Sequence, residues 1–156
     1  MLFSSHEFLF GFLPIALLTF HLTRKYFSSN SSLGVIAAFS FFFYGWWNPP
    51  YLFLLLGSIL GNFLIAHWVT SRPGSAALYV GVTLNLAILG YFKYRNFFLE
   101  NIGYLSGTTW ELETLFIPLA ISFFTFQQIA FLVDLKDGRA SLDNPVGYVA
   151  FVALFP

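Results

Sequence analysis

Four polar side chains interrupt the phenylalanine-rich run ISFFTFQQIAFLVD, residues 121–134: Ser122, Thr125, Gln127 and Gln128, before the run closes on Asp134. Hydroxyls and carboxamides can hold a carbonyl or a hydroxyl by neutral hydrogen bonds, but without an activating partner they are neither bases nor nucleophiles. At roughly 100° per residue, a helix puts Ser122, Thr125 and Gln128 on one side. Phe116, Phe123, Phe124, Phe126 and Phe131 then share the broad opposite side. Gln127 is out of step with the polar stripe and points the way Asp134 does, so the two glutamines need different neighbours. Pro118, just upstream, is expected to free a carbonyl and kink the helix.

The groups that could act as acid or base are three histidines. His6 stands with Glu7 ahead of the first apolar run and reads as a solvated end. His21 and His67 fall near the inner ends of apolar runs, close enough to an interface to be half-hydrated, and neither has a carboxylate on its own run. Ionisable residues inside a membrane are functional candidates by default, yet this setting offers no orienting partner, and no catalytic residue is assigned. No metal site is expected. The chain lacks cysteine and the zinc, P-loop, dinucleotide and nucleophile-elbow motifs are absent.

The elements that must position these groups are set by composition. Hydrophobic residues make up 58% of the 156, charged residues 9%, and aromatic residues 22%. A soluble domain carries about 25% charged residues, so this chain cannot coat itself for water. Its net charge of zero argues against a nucleic-acid partner. The charges cluster between uncharged runs of transmembrane length, roughly 17 to 25 residues. Five spans follow: Phe8–Thr23, Leu33–Trp47, Tyr51–Ser71, Ser75–Phe92 and Leu115–Val133. The first is kept as an uncleaved span, because Arg24-Lys25 follow it where a cleavage site would need small residues.

Placing the N-terminus outside puts Arg24, Lys25, Arg72, Lys136 and Arg139 in the cytoplasm, against Lys93 and Arg95 outside, as the positive-inside rule prefers. Lys93 and Arg95 are read either as snorkelling side chains or as part of a surface helix, Lys93–Leu105. Between the second and third spans, FFFYGWWNPPYLF (41–53) reads as a tight helical hairpin. Trp46, Trp47 and Tyr51 suit the interface, and Asn48 is placed to cap a helix that opens on Pro49-Pro50. Gly57 and Gly61, at small-xxx-small spacing, and the amides Asn62 and Asn85 are expected to pack helices, with Gly81 assisting. After Asn144-Pro145, the run Val146–Phe155 is about half of a span. The simplest expectation is the N-terminal part of a longer chain, with a short re-entrant or interfacial tail as the alternative.

Taken together, several blocks resemble the N-terminal third of the membrane-bound O-acyltransferase family, in the branch of the alginate O-acetyltransferase membrane subunit. They are MLFSSHEFLFGFLP, FFFYGWWNPPYLFLLLGSILGNF, NLAILGYFKYRNFF, IPLAISFFTFQQIAFLVDLKDGR and YVAFVALFP. The resemblance implies an all-α, polytopic membrane fold, with residues 1–156 the N-terminal portion of one transmembrane domain: five helices plus the start of a sixth. It implies an enzyme of the bacterial inner membrane that takes an acyl group, acetyl in this branch, from acyl-CoA or an acyl carrier as substrate. The acceptor would be hydroxyls of an exported polysaccharide such as alginate, reached with periplasmic partner proteins. No bound cofactor is implied. The family's histidine aligns with nothing here and is expected beyond Pro156, so these residues alone are expected to be inactive. Ser122, Thr125, Gln127 and Gln128 are then candidates for lining the passage. The competing reading is a complete small membrane scaffold or transporter subunit.

Overall fold

A computed structural model describes residues 5–72, 76–106 and 120–154, and every regular element among them is helical. A π-helical turn, Phe8–Phe12, runs into α1, Leu13–Tyr26. It is followed by α2 (Ser29–Trp47), α3 (Pro49–Ser71), α4 (Ala77–Ser106), α5 (Ile121–Lys136) and α6 (Pro145–Ala153). Of these, Pro49–Ser71 and Ala77–Arg95 are long and apolar enough to cross a membrane by length and composition. Their outward faces carry Phe53, Leu60 and Leu64, and Leu84, Leu86 and Tyr91. A surface with so much contiguous apolar area is at home against lipid or another apolar partner.

The helix ends follow local chemistry. Ser28 starts α2, its hydroxyl accepting from the Ser31 amide at 3.3 Å. Asn144 starts α6, its Oδ1 accepting from the Gly147 amide at 2.9 Å, with Pro145 in the first turn. The expectation that Asn48 caps α3 with its side chain does not hold: that side chain makes no capping hydrogen bond. Pro49 and Pro50 have no N–H to satisfy, and the Asn48 carbonyl serves Tyr51 and Leu52 instead, at 3.1 and 3.4 Å. At the far end of α5, Gly138 takes φ +71°. Gly138 N donates to Leu135 O and Arg139 N to Asp134 O, closing the helix as a Schellman motif.

Lys93–Leu105 is not a separate helix but the continuation of α4, which runs unbroken to Ser106. No proline interrupts it. Its 30 residues make about 45 Å, well beyond the ~30 Å hydrocarbon core.

Helix α3 sits at the centre, touching α2, α4, α5 and α6, while among the described residues α1 packs on α2 alone beyond its own π turn. The main core gathers Tyr44, Leu55, Ile59, Leu89, Ile121, Phe124, Tyr148 and Val152. A second cluster, Ala66, Leu132 and Leu135, closes the end where α3 and α5 finish and α4 begins. The close approach there is at Gly81. A Cβ on it would stand 2.7 Å from Leu132 Cδ1 and 2.9 Å from Ile65 Cγ2. Gly57 and Gly61 are different, since a Cβ at either meets nothing within 4 Å. At the same end of the bundle, Asn144 Nδ2 donates to Asn30 Oδ1 at 2.9 Å, and Lys136 Nζ lies 5.5 Å from the Tyr79 ring centre.

Candidate functional site

A helix of α5's composition would ordinarily turn its amides toward water. Here Gln128 and Thr125 are instead the most deeply buried polar groups of the described residues, at 0% and 1% exposure. Phe124 lies beside them at 2%, contrary to its expected place on the opposite face. The i, i+4 spacing explains it: Phe124 and Gln128 sit one turn apart on the face that meets α3, and Phe123 and Phe126 point outward. Ser122 is half-buried at the edge of this face. Residues 107–119, including Phe116, Pro118 and its expected kink, lie outside the described residues.

Gln128 ends a relay of side-chain amides that joins three helices. Asn85 Nδ2 on α4 donates to the Gly81 carbonyl at 2.8 Å and to Asn62 Oδ1 on α3. Asn62 Nδ2 donates to the Ser58 carbonyl at 3.0 Å, to Asn85 Oδ1 at 3.2 Å and to Gln128 Oε1 at 2.8 Å. Ser58 Oγ adds a second donor to Gln128 Oε1 at 2.9 Å. Carbonyls only accept, so Gly81 O and Ser58 O fix which end of each asparagine amide faces them. Those two choices agree with each other, and both require Oε1, not Nε2, of Gln128 to face Asn62. Gln128 Nε2 is left buried with no hydrogen-bond partner among the described residues. Such a group is costly in an apolar setting, on the order of 1–3 kcal/mol.

The neighbouring glutamine uses a different helix, as its offset on the helical wheel requires. Gln127 Nε2 donates to the Phe151 carbonyl on α6 at 3.0 Å, and its Oε1 is buried with no partner among the described residues. Tyr148 on α6 joins α5 to α3, its ring 4.5 Å from that of Phe131 and its hydroxyl 3.4 Å from the Ile59 carbonyl. Beside the relay, a groove of about 280 Å³ opens on the α3–α4 face. Gly57 and Gly61 keep it open, and Ser58, Asn62 and Asn85 form its polar part. The sequence identified the amides and the glycines. Ser58 was visible only as the small residue beside Gly57, and its role as a donor to α5 needs the three-dimensional register.

His6, His21 and His67 all lie on the outside of the bundle. No charged side chain is buried among the described residues, and no group of three or more His, Cys, Asp or Glu there could hold a metal ion. Arg139 pairs with Asp134 and Asp137 at 3.6 and 2.9 Å, but both pairs are exposed and contribute little. The arrangement can hold a neutral oxygen-bearing group. It offers no buried base.

Comparison with known proteins sets this helical bundle beside relatives named as O-acetyltransferases and probable O-acetylases. No family model matches the chain, and no solved structure matches it. It is 39% identical over 140 residues, 86% of its length, to a peptidoglycan O-acetyltransferase of Helicobacter pylori. It is 36% and 34% identical, over its whole length, to the probable alginate O-acetylases AlgI of Pseudomonas putida and Pseudomonas aeruginosa. The chain is thus a homologue of these proteins, and the resemblance to membrane-bound O-acyltransferases is borne out. It spans 26%, 33% and 31% of the three relatives' lengths, about a third or less.

Proposed function

We propose that this chain forms part of a membrane O-acyltransferase that passes an acyl group, acetyl by preference, to hydroxyls of an exported polysaccharide such as alginate. The observation that carries this reading is the homology along the whole chain to proteins named alginate O-acetylase, joined over 86% of it by one named peptidoglycan O-acetyltransferase. For an acceptor polymer outside the cytoplasm, an acyl group drawn from acyl-CoA or an acyl carrier has to cross the membrane. Polar side chains buried between apolar helices, Thr125, Gln127 and Gln128 with Ser122 at their edge, support a role in lining that passage. Transfer to a hydroxyl needs a general base within about 2.6–3.2 Å of the acceptor, which the buried groups described here do not supply.

In this reading the chain crosses the inner membrane five times and begins a sixth crossing, with its N-terminus outside. Support comes from the way the helix ends are gathered. The C-terminal ends of α1, α3 and α5 carry Arg24, Lys25, Arg72 and Lys136, with Arg139 just after. They share one side of the bundle with the starts of α2, α4 and α6, and by the positive-inside rule that side is cytoplasmic. Periplasmic acetylation proteins would meet the opposite side, where α4 extends past Arg95. The test is to express the complete gene in a bacterium that makes alginate but has lost its own O-acetylase. O-acetyl signals in the proton NMR spectrum of the purified polymer are expected. A polymer with no acetyl groups, from cells whose membranes contain the protein, contradicts the proposal.

A further inference from the structure

The relay has a direction, and the direction decides which chemical group its buried end offers. Two backbone carbonyls, Gly81 O and Ser58 O, each take an N–H from an asparagine four residues on. Asn62 Nδ2, turned to the Ser58 carbonyl, also faces Gln128 Oε1, while the two asparagines donate to each other. Asn85 and Asn62 therefore form an ordered pair, and Asn62 can only donate to Gln128. As it stands, Gln128 Nε2 is a donor with no partner among the described residues, in a side chain with 0% exposure.

From this we infer that Gln128 Nε2 binds the carbonyl oxygen of the acyl group, and that Asn62 is the positioning residue that keeps the donor rather than the acceptor available. The inference rests on the acyltransferase reading above. Three observations bear on the class of ligand. The donor is neutral, and no cation is buried among the described residues, so a carboxylate or phosphate would find no counter-charge. The surroundings are apolar, with Ile121, Phe124 and Tyr148 in the same core, which suits an ester or thioester carbonyl on a short chain. The groove of about 280 Å³ is lined in part by Ser58 and Asn62, the two side chains that bond Gln128 Oε1. No bond forms or breaks at Gln128. Its part is to hold the carbonyl.

Two single-atom exchanges test this in the protein expressed from its complete gene. Gln128→Glu keeps the oxygen that accepts from Ser58 and Asn62 and replaces the donor. Asn62→Asp turns the relay round, so that Gln128 spends its Nε2 on the new carboxylate. Each introduced carboxyl regains a donor when protonated. Acetyl transfer per folded protein should therefore fall about tenfold at pH 8 for both variants, the rate equivalent of one hydrogen bond. It should recover as pH is lowered, while the unaltered protein sets the baseline profile. KM for the polysaccharide should stay within twofold. Variants that match the unaltered protein at every pH, or whose losses follow the amount of folded protein, overturn the assignment while leaving the acyltransferase reading intact. No transfer by the unaltered protein overturns that reading, and this assignment with it.

Discussion

Helices α1 and α3 are both rich in leucine but hold opposite places in the bundle. Helix α1 buries none of its residues and, among the described residues, packs on α2 alone beyond its own π turn, whereas α3 buries Leu55, Ile59, Asn62, Ala66 and Val69 and touches four helices. The difference lies in what their polar groups do. On α1, Thr19 and Thr23 donate to the carbonyls of Ile15 and Thr19 on their own helix, each at 2.7 Å. On α3, Ser58 and Asn62 reach across to α5 and α4. In lipid the hydrophobic effect does not distinguish one apolar neighbour from another, so small residues and cross-helix hydrogen bonds decide which helices stay together. Helix α3 has cross-helix hydrogen bonds, whereas those of Thr19 and Thr23 stay within α1.

The sharpest way to break this contrast is Asn62→Leu, which strips the relay of its middle member and leaves Gln128 Oε1 and Asn85 Nδ2 each short of a partner. A loss of about 3 kcal/mol is expected in equilibrium unfolding in mixed micelles. Gly81→Val should cost about 2 kcal/mol by overpacking, because its Cβ meets Leu132 and Ile65. The same change at Gly57, where a Cβ meets nothing, should stay within about 0.5 kcal/mol in the same assay. Asn144→Ala removes both the α6 cap and the tie to Asn30. It should cost about 1 kcal/mol, read as a lower midpoint in a thermal scan. Smallest of all, Leu18→Ala on the exposed face of α1 should shift that midpoint by no more than about 0.5 kcal/mol allows.

The sequence made the helices legible because uncharged runs, prolines and cap residues mark their ends one by one. It also separated Gln127 from Gln128, since a 100° step needs only helical geometry. What it could not supply is register between helices. Periodicity placed Phe124 with the other phenylalanines, but in a mostly apolar helix hydrophobicity gives no inward direction; contact with α3 chose the face. Gly57 and Gly61 show the same limit from the other side. Small-xxx-small spacing marks a place where a close approach is possible, and the described helices make theirs at Gly81. Asn48 misled because a good cap residue was followed by two prolines with no N–H to cap.

Ala120 adds one more feature no pattern would reveal. It is the non-glycine residue with positive φ among those described, +56°, immediately before α5. Left-handed backbone costs an alanine about 1–2 kcal/mol, so the start of the glutamine-bearing helix is held in place by its surroundings rather than by its own preference.

The central claim is that α3 and α5 are held by the amide contact between Asn62 and Gln128. A double-mutant cycle tests it most directly, with Asn62→Leu, Gln128→Leu and the pair compared in unfolding free energy in the same micelles. The account predicts a coupling of at least about 1 kcal/mol, with the double variant less destabilised than the two single losses summed. Losses that add to within about 0.3 kcal/mol would show that the two residues act independently and would contradict it.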